Sequence, residues 1–584
     1  MNVLVPIVLA TVALSVAYHR YGRFVSQKLG VDPERTTPAI ELEDGRDYVP
    51  TRCGIVFAHH YASIAGAGPI LGPTMALVFG VVPAFLWAVL GGIFIGAVHD
   101  FASLFVSMRE RGRSIAETVR GVLGPVGFFV FILFLLVMLV MVTSAFLAAS
   151  AKALTSAIPL SFFGLDTSQT LLPVTRDDPT VARVGGIAST SVILLTLFAP
   201  VLGYLLYRRN LDTRAAYVIA GATVIASVVI GLELPVRLEP KTWMVVLAVY
   251  SFIAAGLPVW VLLQPRDFAN VLLLYGGMGL LFLASLGAGL RGVKFQAPMA
   301  DMATGTATLG AIWPVLFITI ACGAISGFHA LVSGGTSCKQ LKSEADAQRV
   351  GFGGMLLESM LAVMVLVAVG AGLSHAKYLT VVYPGAPGAS GNPILAFALG
   401  VGALLESGLL IPKALGTVVG VLMVEGFVVT TLDTAIRLNR YVFEEFWTAI
   451  VGRKVPVLGA AWFNSGLSVA LMLLMAWGNA FNALWPVFAT ANQLLAALTL
   501  IAVSAWLTRA RKPYWYVVWP AFFMIATTTA SLLLLLKKHF AAPNYTLAAT
   551  DFVLLLLSAV LTGLAVKTFL RPRPADDTVV GVAA

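Results

Sequence analysis

The chain has 584 residues, of which 59% are hydrophobic and 11% charged, with a net charge of +10. Its apolar runs are continuous and of span length, which makes it an all-α polytopic membrane protein and excludes a β-barrel, whose strands would alternate. The positive charge sits in short loops beside the spans, so no nucleic-acid partner is indicated, and Cys53, Cys322 and Cys338 form neither a CxxC pair nor a disulfide framework.

The first apolar run, Asn2 to Ala17, lacks a cationic n-region and a small-residue cleavage site. It is expected to be a retained extra helix in residues 1–18. Residues 19–52 carry Arg20, Arg23, Lys28, Arg35, Arg46 and Arg52, which assigns this loop to the cytoplasm and the N-terminus to the outside. The stretch 53–80 is long enough to span. Its middle is unfit for continuous helix, because Gly66, Gly68, Pro69, Gly72 and Pro73 crowd into eight residues. Backbone groups freed there survive in hydrocarbon only where protein buries them or a watery cavity meets them. One Gly or Pro would signal only a kinked packing helix; this density points to a binding site.

Further spans are expected at 82–106, 125–150, 186–207, 215–232, 243–263, 270–290, 308–331 and 352–373, with an external loop at 151–185. Residues 393–411 are expected to be re-entrant. That choice keeps Arg437, Arg440, Arg453 and Lys454 cytoplasmic, and it gives Glu406 a protein environment rather than a lipid one. A span at 414–436 follows. The C-terminal extra helices in 458–570 are expected at 458–477, 483–507, 515–536 and 548–566, before a cytoplasmic tail, 571–584, that opens with Arg571 and Arg573. The total is about fifteen spans plus the re-entrant segment. Five spans in 53–233 and five in 242–436 start in opposite senses, and the first span of the second set has its own break at 255–260. Broken helices at matching places in oppositely directed units mark an inverted repeat.

An ionisable group inside a membrane should face a cavity, a partner or a pathway. The candidates for proton coupling are His59, His60, His99, Asp100, His329, Glu358 and Glu425. Asp433 has a duller role available, pairing with Arg437 four residues on. The substrate-binding candidates are Ser63, Gly66, Gly68, Pro69 and Gly72 at the first break, Gly256, Pro258 and Trp260 at the second, and Ser326. A metal held by His59, His60, His99 and Asp100, with Cys322 and His329 as further ligand types, is the weaker reading. Adjacent histidines point about 100° apart on a helix, and no HExxH is present. Asn464, Asn492 and Gln493 read as buried amides that tie helices together, and Gly92 to Gly96 as a packing motif.

The stretches DGRDYVPT (44–51), HHYASIAGAGPILGP (59–73), GGIFIGAVHDFASLFVSMRERGRSI (91–115), LPVWVLLQPRD (257–267) and ITIACGAISGFHALVSGGTSCKQL (318–341) closely resemble the carbon starvation protein CstA family. So do TTLDTAIRLNRY (430–441) and WPVFATANQLLAALTL (485–500). Where the family often has a Thr-Thr pair after the glycine near 335, this chain reads Gly335-Thr336-Ser337-Cys338. The resemblance implies uptake of peptides, or proton-driven uptake of pyruvate, across a bacterial inner membrane. It also implies membership of the amino acid–polyamine–organocation transporters, and so a LeuT-like 5+5 inverted repeat with broken first helices. It carries no residue-level assignment.

The reading is therefore an inner-membrane secondary active transporter, not an enzyme. It takes up a peptide, with pyruvate or another small monocarboxylate as the alternative. It uses no cofactor and is driven by H⁺, with Na⁺ as the alternative ion; its partners are a small-molecule substrate and membrane lipid. The substrate carboxylate is expected on half-helix N-termini at 66–73 and 256–260. An intramembrane metalloenzyme and a nutrient sensor are the competing classes. The first lacks a ligand triad with fixed spacing, and the second lacks a visible signalling domain.

Overall fold

The computed structural model describes residues 1–570 apart from Arg46, Arg176, Asp177, Asn210, Val259, Trp260, 386–390, Arg453, Lys454 and Ala480. Trp260, Arg46, Arg453, Lys454 and the tail 571–584 with Arg571 and Arg573 thus lie outside the described residues.

Helix α1 (Leu4–Leu29) runs well past residue 18, so the expected loop 19–52 begins later than the charge pattern indicated. Gly22, Val25 and Leu29 form a buried stripe, and Phe24 packs on Trp515, which holds the extra turns in helical form until Gly30 ends them at φ 68°. Two helices, α2 (Cys53–Ile64) and α3 (Gly68–Phe79), make a broken span bent by 49°. Then come α4 (Val81–Arg109), α5 (Ile115–Leu154), α6 (Val184–Arg208) and α7 (Thr213–Glu233). α5 kinks at Gly124, where φ is 79°, immediately before Pro125. Between α5 and α6 a short antiparallel pair joins Ile158–Pro159 to Val181–Ala182.

The chain continues with α8 (Pro240–Gly256), α9 (Leu263–Leu290), α10 (Met302–Leu309), α11 (Ile312–Thr319) and α12 (Phe328–Gly335). After these come α13 (Gln348–Gly372), α14 (His375–Val382), α15 (Pro393–Leu409) and α16 (Lys413–Val451). The last four are α17 (Ala461–Gly478), α18 (Phe481–Arg509), α19 (Trp515–Ala541) and α20 (Tyr545–Leu570). Among the described residues 12 helices are long and apolar enough to cross a membrane, or up to 14 if each bent pair is one span. The protein is a polytopic helical membrane protein.

The second interruption is not where the sequence placed it. Ala255 and Gly256 end α8 and α9 starts at Leu263, so Leu257 and Pro258 lie between two helices rather than at a break within one. The second bent pair is α10 with α11, at 80°, and the chain leaves helix again between Thr319, where α11 stops, and Phe328, where α12 starts. Two prolines and a glycine look alike in sequence whether they end a helix or open one; only the helix that follows separates the cases.

Helix α15 has 17 residues, about 25 Å of helix and short of a full crossing. Both its ends are tied to the segment that leaves α5. Asn392 donates to Ser156 at 3.2 Å, and Lys413, just past the other end, donates to the Phe162 carbonyl at 2.8 Å. Most of its residues are buried, but Glu406, expected in a protein environment, is exposed near its end.

Close backbone approach holds α15 against α9. A Cβ added at Gly408 would lie 2.1 Å from the Ala284 carbonyl oxygen, and one at Gly287 would lie 2.4 Å from the Gly408 carbonyl oxygen. Small residues at such crossings supply the contact area that a hydrophobic driving force cannot supply in lipid. Gly408→Leu is expected to cost about 1–3 kcal/mol through overpacking. Gly276→Leu, at an α9 position with nothing within 4 Å, is expected to stay within about 0.5 kcal/mol. Thermal denaturation of the two purified variants in one detergent checks the contrast.

Candidate functional site

The first break is short. Ala65, Gly66 and Ala67 leave the helix; Gly68 and Pro69 already belong to the first turn of α3, where a proline is tolerated because its amide would be unpaired anyway. Gly72 and Pro73 are helical too, so the interruption expected over 66–73 narrows to 65–67. Every residue from Ser63 to Gly80 is buried.

The second break, Ile320 to Gly327, lies directly against the first. A Cβ on Gly68 would fall 2.3 Å from Cys322 Sγ and 2.5 Å from its Cβ. A Cβ on Gly72 would fall 2.6 Å from the Thr319 carbonyl oxygen, and one on Gly323 lies 3.7 Å from the Pro69 Cα. The glycines thus let the first turns of α3 touch the unwound backbone that follows α11. Gly66 faces Thr431 of α16.

The backbone opened at 320–327 is satisfied from α18 and α4. Asn492 accepts from the Phe328 amide at 2.9 Å and donates to Ser326 Oγ at 3.0 Å, while its own carbonyl accepts from the Gly327 amide at 3.0 Å. Gln493 and Trp87 both donate to the Phe317 carbonyl, at 2.8 and 3.0 Å. At the far end of α3, Tyr378 donates to the Thr74 carbonyl at 2.9 Å and Tyr383 to the Met75 carbonyl at 2.7 Å. Tyr378 lies on α14 and Tyr383 immediately follows it.

Four fully buried ionisable side chains form a line beside the breaks. Asp100 of α4 sits between His99 Nδ1, at 2.7 Å from Oδ1, and His329 Nδ1, at 2.6 Å from Oδ2. On its other side His329 Nε2 lies 3.3 Å from Glu358 Oε2 of α13, within ion-pair range but without hydrogen-bond alignment. His329 is the second residue of α12, and it faces the Ile64 carbonyl at the end of α2. One imidazole thereby touches both interruptions. His60 Nδ1 pairs with Ser337 Oγ at 2.8 Å, and its Nε2 is buried without a partner. Of the sequence candidates, His60, His99, Asp100, His329 and Glu358 are brought into this region.

Others are not. His59 is only half-buried, and Ser63 turns its hydroxyl back to the His59 carbonyl at 2.8 Å. Gly256 and Pro258 are exposed at the end of α8, where Arg440 and Arg437 take the Ala255 and Leu257 carbonyls at 2.7 and 2.6 Å. They do not face the first break. Glu425 lines a separate cavity between α6, α9 and α16. Among the described residues no group of three or more His, Cys, Asp or Glu side chains is placed to hold a metal ion.

The family model described as carbon starvation protein CstA matches residues 2–390 and 380–531. The chain belongs to the CstA family. It is 30% identical to the peptide transporter CstA of Bacillus subtilis (strain 168) over 551 residues, covering 86% of this chain and 84% of the relative. It is also 30% identical to the peptide transporter CstA of Escherichia coli (strain K12), covering 89% and 79%. The pyruvate/proton symporter BtsT of Escherichia coli (strain K12) is 36% identical over 370 residues, 62% of this chain and 48% of the relative. The solved structure of MhsT in complex with L-phenylalanine superposes with a TM-score of 0.46 at 12% identity, covering 88% of this chain and 98% of that one.

In this member of the family, sequence reasoning missed one network. Arg266, which is not among the sequence candidates, is buried in α9 and pairs with Asp433 and with Tyr250. Tyr250 also donates to Asp433 at 2.8 Å, so Asp433 does not take the Arg437 partnership that its i,i+4 spacing offered. No local pattern reveals an α9–α16 pair; the only signal was that Arg266 and Asp433 both sit at the edge of apolar runs. Asn492 and Gln493 were read as tying helices together, but the object they tie is an unwound segment. Asn492→Leu removes the acceptor for Phe328 and the donor to Ser326, and each orphaned buried group costs about 1–3 kcal/mol. The variant is expected to lose that stability, and Thr499→Val on the same helix to lose less, in side-by-side thermal denaturation.

Proposed function

We propose that this chain is a secondary active transporter of the bacterial inner membrane that takes up peptides, coupled to protons, under nutrient limitation. The observation that carries the reading is the crossing of two interrupted spans in direct contact, with the Asp100–His329–Glu358 line reaching both interruptions. Irregular backbone deep in a helical membrane protein is stable only where it is buried in protein or lines a cavity, and transporters place substrate and coupling ion at such points. The names of the relatives support a peptide. The likeness to a pyruvate/proton symporter supports protons as the coupling ion, and it sustains a small monocarboxylate as the second reading.

Two five-helix units account for the packing. The first is the α2–α3 span with α4, α5, α8 and α9; the second is the α11–α12 span with α13, α16, α17 and α18. Each opens with a broken span, and each has its longest helix third, with 40 residues in α5 and 39 in α16. α5 packs on α17 and α18 as α16 packs on α8 and α9, while α8 meets α17. This division replaces 53–233 and 242–436: the α6–α7 hairpin is an insertion between the third and fourth helices of the first unit. The N-terminus lies outside and the C-terminus in the cytoplasm, a reading supported by Arg109 and Lys512, which both donate to the carbonyls that end α1, at Gly30 and Leu29.

In this reading the carboxylate end of the substrate meets the N-terminus of α3, where amide hydrogens and the helix dipole favour an anion. The start of α12 is less available, because Asn492 already takes the Phe328 amide. A proton on the Asp100–His329–Glu358 line changes the charge that bridges the two breaks and so biases their relative position. Gly68 and Gly72 allow the sliding contact that alternating access needs.

Proteoliposomes given labelled di- and tripeptides or labelled pyruvate, under imposed pH or sodium gradients, test the reading. Uptake that follows the pH gradient supports it; accumulation with neither gradient counts against it. Asp100→Asn and Glu358→Gln are each expected to lower gradient-driven uptake by at least about tenfold. Gly68→Ala is expected to lower uptake with unchanged membrane abundance, and Gly68→Ala combined with Cys322→Gly to recover part of it. The pair probes the contact itself, since removing the Cys322 side chain vacates the space the new methyl needs.

A further inference from the structure

Two cavities flank Asn270 of α9. One is lined by Ala62 of α2, by Asp267 of α9, and by Phe427 and Thr430 of α16. The other is lined by Ser191 and Thr196 of α6, by Arg266 of α9 and by Glu425 of α16. Asn270, Leu273 and Gly426 line both, so the cavities meet back to back at one constriction. There Asn270 donates to Thr430 Oγ1 at 2.9 Å and lies 3.5 Å from the Gly426 carbonyl. Gly426 faces the same side chain: a Cβ at that position would lie 3.9 Å from Asn270, in ordinary contact.

Glu425 is fully buried, and neither carboxyl oxygen has a hydrogen-bond partner among the described residues. Among the described residues no cation pairs with it. The charged groups around it are committed elsewhere. Arg266 pairs with Asp433 and Asp267, and Tyr250 joins the same network. Arg437 takes the Leu257 carbonyl, and Glu406 lies exposed near the far end of α15. The polar side chains that α6 brings to the cavity among the described residues are the hydroxyls of Ser191 and Thr196, and Ser191 is already paired with Ser227 at 2.7 Å. An ionised carboxylate with no donor and no counter-charge is far more costly in such a place than the neutral acid.

We propose that Glu425 is a second proton-binding carboxyl, reached from the α2 side through the Asn270–Gly426 constriction and separate from the Asp100–His329–Glu358 line. Asp267, whose Oδ1 is buried in the first cavity, stands at the entrance of the route. A proton arriving there passes by water to the Glu425 carboxylate and makes the neutral acid; its release regenerates the carboxylate beside Arg266. α6 forms one wall of the second cavity with Ser191, Val192, Leu195 and Thr196.

The uptake part of the test rests on the transporter reading, but the spectroscopic part does not. Infrared difference spectra of the full-length protein in lipid, recorded across a pH titration, report the carbonyl stretch of protonated carboxylic acids. Glu425→Gln, close in shape to the neutral acid, is expected to fold and to lose one such band. Asn270→Leu is expected to keep the band and to slow its isotopic shift in D₂O by at least about tenfold, because the constriction is plugged. An unchanged band in Glu425→Gln, or an unslowed shift in Asn270→Leu, overturns the proposal. In proteoliposomes Glu425→Gln is expected to lower pH-gradient-driven uptake of labelled dipeptide or pyruvate about tenfold while exchange without a gradient persists. Wild-type protein that transports neither probe would remove the transporter reading and leave the band result standing. Wild-type transport that Glu425→Gln does not alter would remove this proposal alone.

Discussion

In hydrocarbon a backbone amide or carbonyl that leaves a helix has no water to turn to, and each unsatisfied group costs several kcal/mol. This chain leaves helix twice in its buried middle, at 65–67 and at 320–327. The rest of the architecture can be read as the response. α18 supplies Asn492 and Gln493, α4 supplies Trp87, and α14 with the residue after it supplies Tyr378 and Tyr383. Gly68, Gly72 and Gly323 let the first turns of α3 lie against the second interruption, with Cys322 filling the space beside Gly68.

The same crowding explains why charge gathers there. His329 sits at the start of the helix that resumes after the second break, and it looks back at the carbonyl that ends the helix before the first. Asp100 and Glu358 hold it from α4 and α13. A buried imidazole between two carboxyl groups is a small bistable unit, because adding or removing one proton changes which contacts are favourable. The Arg266–Asp433–Tyr250 network plays a different part. It fixes α9 to α16 and α8, away from the crossing, and leaves Glu425 on the same helix without a counter-charge.

Several expectations failed for one reason. The break at 255–260, the role of Gly256 and Pro258, and the Asp433–Arg437 pair were all inferred from neighbours in sequence. In each case a partner distant in sequence decided the outcome. Arg440 and Arg437 cap the end of α8, and Arg266 claims Asp433 from another helix. The loop cations of 19–29 likewise did not keep that segment out of helix, since the buried stripe Gly22, Val25, Leu29 outweighs them.

Hydropathy was enough to make this chain a polytopic helical membrane protein, because the length and apolarity of a span are properties of the span itself. The density of glycine and proline at 66–73 was enough to locate the first interruption, for the same local reason. Which interruption it faces, which of seven ionisable candidates share one site, and which carboxyl stands alone were decided only by packing. Side chains separated by hundreds of residues meet there, as Asp100 meets His329 and Gly68 meets Cys322, and no periodicity in one segment records the helix that will lie beside it.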